Sequence, residues 1–223
     1  MSEKLEAFIE NLSSWPGNEQ VFNPWHDVDP VWDKPGSSLV RQEQLKTYLA
    51  QRIGKANLIL VAEGLSYQGG KFTGIAMTSE RIILGGKENI SPSSVFAGNP
   101  VQTSIKAGGF NEPTASIVWD MMIHSGVDPY TVVLWNAFPW HPHLEKKSLT
   151  NRPPTRNELN MIKPLFLQFL DLFDDVRLVA VGLKAQSLLA DMGLECKVVR
   201  HPARGGANQF RMQMKELLCG KLE

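Results

Sequence analysis

Asn57 to Gly74 reads NLILVAEGLSYQGGKFTG. Its first half, LILVAE, is a short apolar run that ends in a glutamate and opens directly into a glycine-bearing loop. A run of that length, closed by glycine, predicts a fully buried strand. The loop after it does not fit a phosphate cradle. That motif needs four residues between its first glycine and Gly-Lys, then a hydroxyl for magnesium. Here five residues separate Gly64 from Gly70-Lys71, and Phe72 stands where the hydroxyl belongs. No GxGxxG follows a predicted strand, so a dinucleotide site is not expected either.

Three more stretches repeat the pattern: TVVLWNAF (131–138), RLVAVG (177–182) and KVVR (197–200). Helical segments separate them. Pro113 opens TASIVWDMMIHSG, and Thr155 to Glu158 is a capping-box pattern for a helix running to about Asp174. KAQSLLADMG and NQFRMQMKELL supply two more. Upstream, Glu3 to Leu12 reads as a helix. SSLVRQEQLKTYLAQRIG reads as another, with serine caps, a buried stripe of Leu39, Leu45 and Leu49, and a stop at Gly54. Strands alternating with helices predict an α/β three-layer sandwich around a central, mainly parallel four-stranded sheet. Residues 1–223 are expected to form one domain. Within it, 1–54 hold the N-terminal helices and a Trp/Pro-rich loop, and 55–223 hold the α/β core. The loop between the first two helices carries three tryptophans and four prolines, so it is expected to pack across the surface and cover a sheet edge. Gly85 to Pro113, dense in Gly, Pro, Asn and Ser, reads as excursions outside the sheet.

Composition bounds the function. Lys+Arg and Asp+Glu both number 23, so overall charge does not announce a nucleic-acid binder. Local basic clusters suffice for phosphate contact, and cations gather at Lys146, Lys147, Arg152, Arg156 and again at Arg200, Arg204, Arg211, Lys215. No apolar run is long enough to span a membrane. The opening MSEKLEAFIENL lacks the basic start and apolar run of a signal peptide, so the cytoplasm is the expected location, and a monomer is expected separately. Cys196 and Cys219 lack CxxC spacing, which argues against both a disulfide scaffold and a cysteine-ligated cluster.

In parallel α/β sheets, ligands sit beyond the carboxyl ends of the strands. That rule selects AEGLSYQGG, NAFPWHPH, GLKAQ and HPARGG, so Glu63, Asn136 and His201 are expected to share one cleft. Asn136 ends an apolar strand, where an unbonded amide is costly. It either bonds loop backbone at the strand end or reads a base, since an amide presents a donor beside an acceptor. His141-Pro142-His143 is joined by no third metal ligand at recognisable spacing, so no metal is expected there.

Taken in order, AEGLSYQGGKFTGIAMTSER, VVLWNAF and VRHPARGG resemble the motifs of the uracil-DNA glycosylase superfamily, and most nearly its thermostable bacterial and archaeal branch. The resemblance runs from about Asn57 to the C-terminal helix. It implies a uracil-DNA glycosylase-like fold, DNA containing a damaged base as partner, and a base flipped from the stack before its glycosidic bond is hydrolysed. It implies a catalytic set of His201, Glu63 and Gly64. His201 would donate toward the base, with backbone N–H groups around Glu63 and Gly64 assisting. Asn136 would read the base edge. Met77 stands where the family stacks an aromatic ring, with Phe72 near enough in sequence to substitute. Arg200, Arg204, Gly205 and Gly206 lie where the family meets DNA.

The departures are specific. Of the branch's Gly-Glu-Ala-Pro-Gly pattern only Glu63 survives, and Gly64 replaces an aspartate that activates water in the best-known branch. The four cysteines of the thermostable branch's iron–sulfur cluster are absent, so the resemblance implies a divergent, cluster-free member without a cofactor. Two other readings stand beside it: a catalytically weak or inactive relative that binds nucleic acid or a base, and a nucleoside-cleaving enzyme using Glu63 as nucleophile or base.

Overall fold

The computed structural model describes residues 2–218. Cys219 therefore lies outside the described residues. The chain begins with α1 (Glu3–Ser14), the short strand β1 (Val21–Phe22), α2 (Ser37–Ala50) and β2 (Leu58–Gly64). Three single-turn helices follow: α3 (Gly70–Thr73), α4 (Glu80–Ile83) and α5 (Pro92–Val95). Next come α6 (Pro113–His124), a 3-10 turn (Pro129–Thr131), β3 (Val132–Phe138) and the short β4 (His141–Pro142). The chain continues through α7 (Arg156–Leu170), β5 (Arg177–Val181), α8 (Leu183–Asp191), β6 (Lys197–Val199) and α9 (Ala207–Leu218).

The four expected strands form one sheet in the order β3-β2-β5-β6, with every pairing parallel. Ala62 stands opposite Asn136, and Val181 opposite Val199, so the carboxyl ends of all four strands reach the same edge. β3 is buried at every position, which requires cover on both faces. On one face Trp135 stacks on Phe169 of α7 at 4.2 Å and meets Phe8 of α1 at 5.8 Å.

β3 is an edge strand, and α2 closes it with side chains. The Tyr48 hydroxyl accepts the outward N–H of Leu134 at 2.8 Å, and Arg52 Nε donates to the Val132 carbonyl at 2.9 Å. The Arg52 guanidinium also lies 3.7 Å over the Tyr48 ring. Both side chains are buried, so the edge is sealed without a fifth strand.

Four sequence expectations need correction, among them the stop of α2, which comes at Ala50 and not at Gly54. Leu39 does not belong to the buried face of α2: it is 65% exposed. That face is instead Ser37, Arg41, Gln44, Leu45, Tyr48 and Leu49, and Gly36, in a left-handed conformation, precedes the helix without a side-chain cap. Polar residues can line this face because each is bonded. Arg41, fully buried, pairs with Asp33 through 2.8 and 3.0 Å contacts and donates to the Pro24 and Asp27 carbonyls. The α7 helix also ends at Leu170, with Asp171 as its C-cap, short of Asp174.

These contacts explain the Trp/Pro-rich loop. It wraps the Arg41 guanidinium, and β1 pairs antiparallel with β4, fastening the loop to the segment after β3. Lys71, the lysine of the near-miss cradle, is fully buried and bonds Asp29 of this loop at 2.6 Å. Its charge is used inside the protein and is not offered to a phosphate.

Tyr48→Phe leaves the Leu134 N–H buried and unpaired, and is expected to cost about 1–3 kcal/mol in urea unfolding with an unchanged m value. A loss below about 0.3 kcal/mol would show that the edge is sealed by other means.

Candidate active site

A cleft of about 650 Å³ opens at the carboxyl ends of the strands, and Glu63, Gly64, Met77, Asn136, His201 and Arg204 all line it. Six of the sequence-predicted residues thus meet in one place. Glu112, Arg152 and Lys184 line it as well.

Asn136 sits near the end of β3 and is only 2% exposed. Among the described residues its side-chain amide has no hydrogen-bond partner. The reading in which it merely bonds loop backbone is thereby removed: the amide faces the cleft with a donor and an acceptor free.

His201 follows β6 and is held by its own turn. Ala203 N–H donates to its Nδ1 at 3.1 Å, so in the neutral ring the proton resides on Nε2. Burial, reinforced by the nearby Arg200 and Arg204 cations, pushes the imidazole below its usual range. At neutral pH His201 is therefore an uncharged donor through Nε2. Glycines make its seat. A Cβ at Gly206 would stand 2.1 Å from the His201 carbonyl oxygen, and one at Gly182, whose φ is 93°, would stand 3.0 Å from His201 Cβ. Arg204 itself has φ 54°, a left-handed conformation uncommon outside glycine, and Gly205 continues the turn. Arg200 is exposed beside the cleft and spends one N–H on the His201 carbonyl at 3.3 Å.

Met77 shares that unusual conformation, with φ 47°, and is buried in the cleft wall. The strain is held by threonines: Thr73 Oγ1 accepts Ile75 N–H and donates to the Thr78 carbonyl, while Thr78 Oγ1 accepts from the Trp119 indole. Phe72, named beside it, is not in the cleft. The α3 turn carries it inward, where it is fully buried and stacks on Phe110 at 4.2 Å. Glu63 points to the mouth and pairs with Lys184 at 3.5 Å. Arg152 is held by a two-point contact with Glu158, at 2.8 and 2.6 Å.

Below the mouth, His141 faces two carbonyls, Leu65 at 2.8 Å and Ser148 at 3.0 Å, and burial pushes it down to about 3. Being neutral, the ring carries one N–H and donates to one of these two carbonyls at a time.

Glu112 is the residue that sequence reading missed. It is 9% exposed, and its Oε2 is buried without a partner. Burial raises its carboxyl to about 7. It is the N-cap residue of α6, but its side chain accepts no helix N–H, so no such bond offsets that burial. Lys184, also missed, was reachable, since GLKAQ had been selected by the strand-end rule. Nothing in NEPTAS marks Glu112 as different from any residue before a helix-opening proline.

No family model matches the chain, and no curated protein matches it by sequence. Among solved structures, the crystal structure of wild-type SMUG2 from Pedobacter heparinus is similar, with a TM-score of 0.65 at 11% identity, covering 99% of this chain and 98% of that one. The likeness is one of fold: the chain has the uracil-DNA glycosylase-like architecture, built on a parallel four-stranded sheet.

The raised carboxyl of Glu112 has a signed consequence. Its contribution to stability is fully present below the ordinary carboxylate range and is lost as pH rises through about 7. Glu112→Gln keeps the shape without the charge. It is expected to be more stable than wild type at pH 8, on the order of 2–3 kcal/mol, with the gap shrinking toward pH 5 in thermal or urea unfolding. A gap that stays constant with pH would refute the burial account.

Proposed function

We propose that the protein is a monofunctional DNA glycosylase that flips uracil or a related deaminated base out of DNA and hydrolyses its N-glycosidic bond. The observation that carries this reading is the free Asn136 amide, nearly buried at a strand end and facing a cleft that also holds the neutral donor His201. An amide that is open only to the cleft and bonds no protein group is free to bond a ligand there. A pyrimidine edge with a carbonyl beside an N–H matches it in kind.

In the reaction, the C1′–N bond breaks and its electron pair moves into the base. Water oxygen bonds C1′ and gives up a proton, and the departing base gains one. Negative charge develops on the base, so a fixed donor that meets it lowers the barrier. His201, with Nε2–H available, is that donor in this reading. Met77 packs against the ring face, where a thioether adapts without the flat stacking surface of an aromatic. Glu63 and Gly64 form the wall near the sugar, and Arg204, with Arg200 and the Gly205-Gly206 turn, meets the DNA backbone. Residues 1–223 act in this reading as one domain and as a monomer, with no cofactor in the chemistry.

Gly64 favours a second reading, binding with weak or no turnover, because no carboxylate stands there to activate water. A Cβ on Gly64 would lie 3.4 Å from the Pro142 ring, so a side chain can begin there without a clash.

Single-turnover base release from single-stranded and duplex DNA carrying uracil, hypoxanthine or xanthine tests both. Wild type is expected to release at least one of these bases, and Asn136→Ala and His201→Ala are each expected to slow release by about 100-fold. Unchanged rates in both variants would sink the residue assignment. Salt-sensitive DNA binding without release would select the second reading. Gly64→Asp is expected to raise the rate by about tenfold or more. A rate left unchanged would mean that water activation is not what Gly64 lacks.

A further inference from the structure

The mechanism above leaves one buried ionisable group of the cleft unused. We propose that Glu112 is a second hydrogen-bond donor to the departing base, acting as a neutral carboxylic acid. The inference rests on the glycosylase reading and adds a catalytic group to it.

The geometry is that of a group awaiting a ligand. Glu112 lines the same cleft as Asn136 and Met77; its Oε2 is buried against Gly69 without a partner, which leaves Oε1, also unbonded among the described residues, as the oxygen open to the cleft. Its backbone carbonyl is used by Ser116 of α6, so the residue is fixed while its side chain is left over. A Cβ at Gly69 would stand 1.9 Å from Oε2, so glycine there leaves the carboxyl its place. A carboxyl that bonds nothing in the protein, with one oxygen open on the wall of a ligand-sized cleft, points to a ligand at that oxygen.

The charges around it do not hold it ionised. Glu63 and Lys184 pair with each other, Lys71 of α3 is taken by Asp29, and Arg152 is taken by Glu158. His201 and Arg204 line the cleft from the loop after β6, and Arg204 carries the remaining cation there. Burial alone raises the Glu112 carboxyl to about 7. A neutral acid can donate O–H to a base that is gaining negative charge, whereas a carboxylate in the same place would repel it. Glu112 keeps its proton throughout; the proton released by water goes to the base or to solvent. The active form therefore has Glu112 protonated, so release falls on the alkaline side as Glu112 ionises.

The test is single-turnover base release between pH 5.5 and 9 in wild type, Glu112→Gln, Glu112→Ala and Asn136→Ala. Carbon-13 NMR of the glutamate carboxyls runs beside it, with the Glu112 signal assigned by its absence from Glu112→Gln. In wild type, release is expected to fall by about tenfold per pH unit above the Glu112 midpoint. Glu112→Gln, a permanent neutral donor, is expected to stay within about fivefold of wild type at pH 6 and to lose the alkaline limb. Glu112→Ala is expected to be slower by about 30-fold or more at pH 6 and to lack the alkaline limb. Identical alkaline limbs in wild type and Glu112→Gln, or near-wild-type release by Glu112→Ala while Asn136→Ala is inactive, would overturn the role of Glu112 and leave the glycosylase reading standing. No release by wild type from any of these DNAs would overturn both, even with the Glu112 signal titrating near neutrality.

Discussion

The parallel register of β2 against β3, with Ala62 opposite Asn136, is the constraint on which the site depends. It brings the end of one buried strand, bearing an amide, beside the end of another, bearing Glu63 and the loop that carries Met77. A slip of one residue would turn Asn136 to the other face of the sheet and set Trp135 or Ala137 toward the cleft. An edge strand is free to slip unless something holds it. Here Tyr48 and Arg52 take the outward backbone groups of Leu134 and Val132, so a helix far from the chemistry pins the strand that delivers the amide.

Buried charge does the fastening elsewhere. Arg41 gathers the Trp/Pro-rich loop around Asp33 and two carbonyls, and Lys71 ties the glycine loop to Asp29. Removing one member of such a pair strands the other in a poor solvent, so these residues act as locks on loop position. The cleft they shape differs in kind. Its two inner titratable groups, His201 and Glu112, are both driven by burial toward their uncharged forms. Uncharged donors suit a neutral base that becomes negative only as its bond breaks.

Much of this was legible in the sequence. Four short apolar runs, each ended by a polar residue and a loop, gave the strands, and the strand-end rule then placed Glu63, Asn136 and His201 together. What escaped was whatever depended on local turns or on long-range partners. Phe72 lies next to Lys71, and the single turn of α3 buries both, a conformation that no periodicity announces. Leu39 fits a helical stripe, yet Arg41 and Gln44 hold the buried face because Asp33, Thr73 and Val101 bond them from outside the helix. Glu112 looks like any polar residue ahead of Pro113. Its Oε2 is buried against Gly69, a contact that no local pattern announces.

The central claim is that the Asn136 amide reads a base in this cleft, and its most direct test needs no turnover. The side-chain NH₂ signals of Asn136, assigned by their absence from Asn136→Ala, can be followed by nitrogen-15 NMR as free uracil is added. The account predicts a saturable shift of those signals, shared by residues lining the cleft such as Met77 and His201. Saturating uracil that leaves them unmoved, in protein with native spectra, would contradict it.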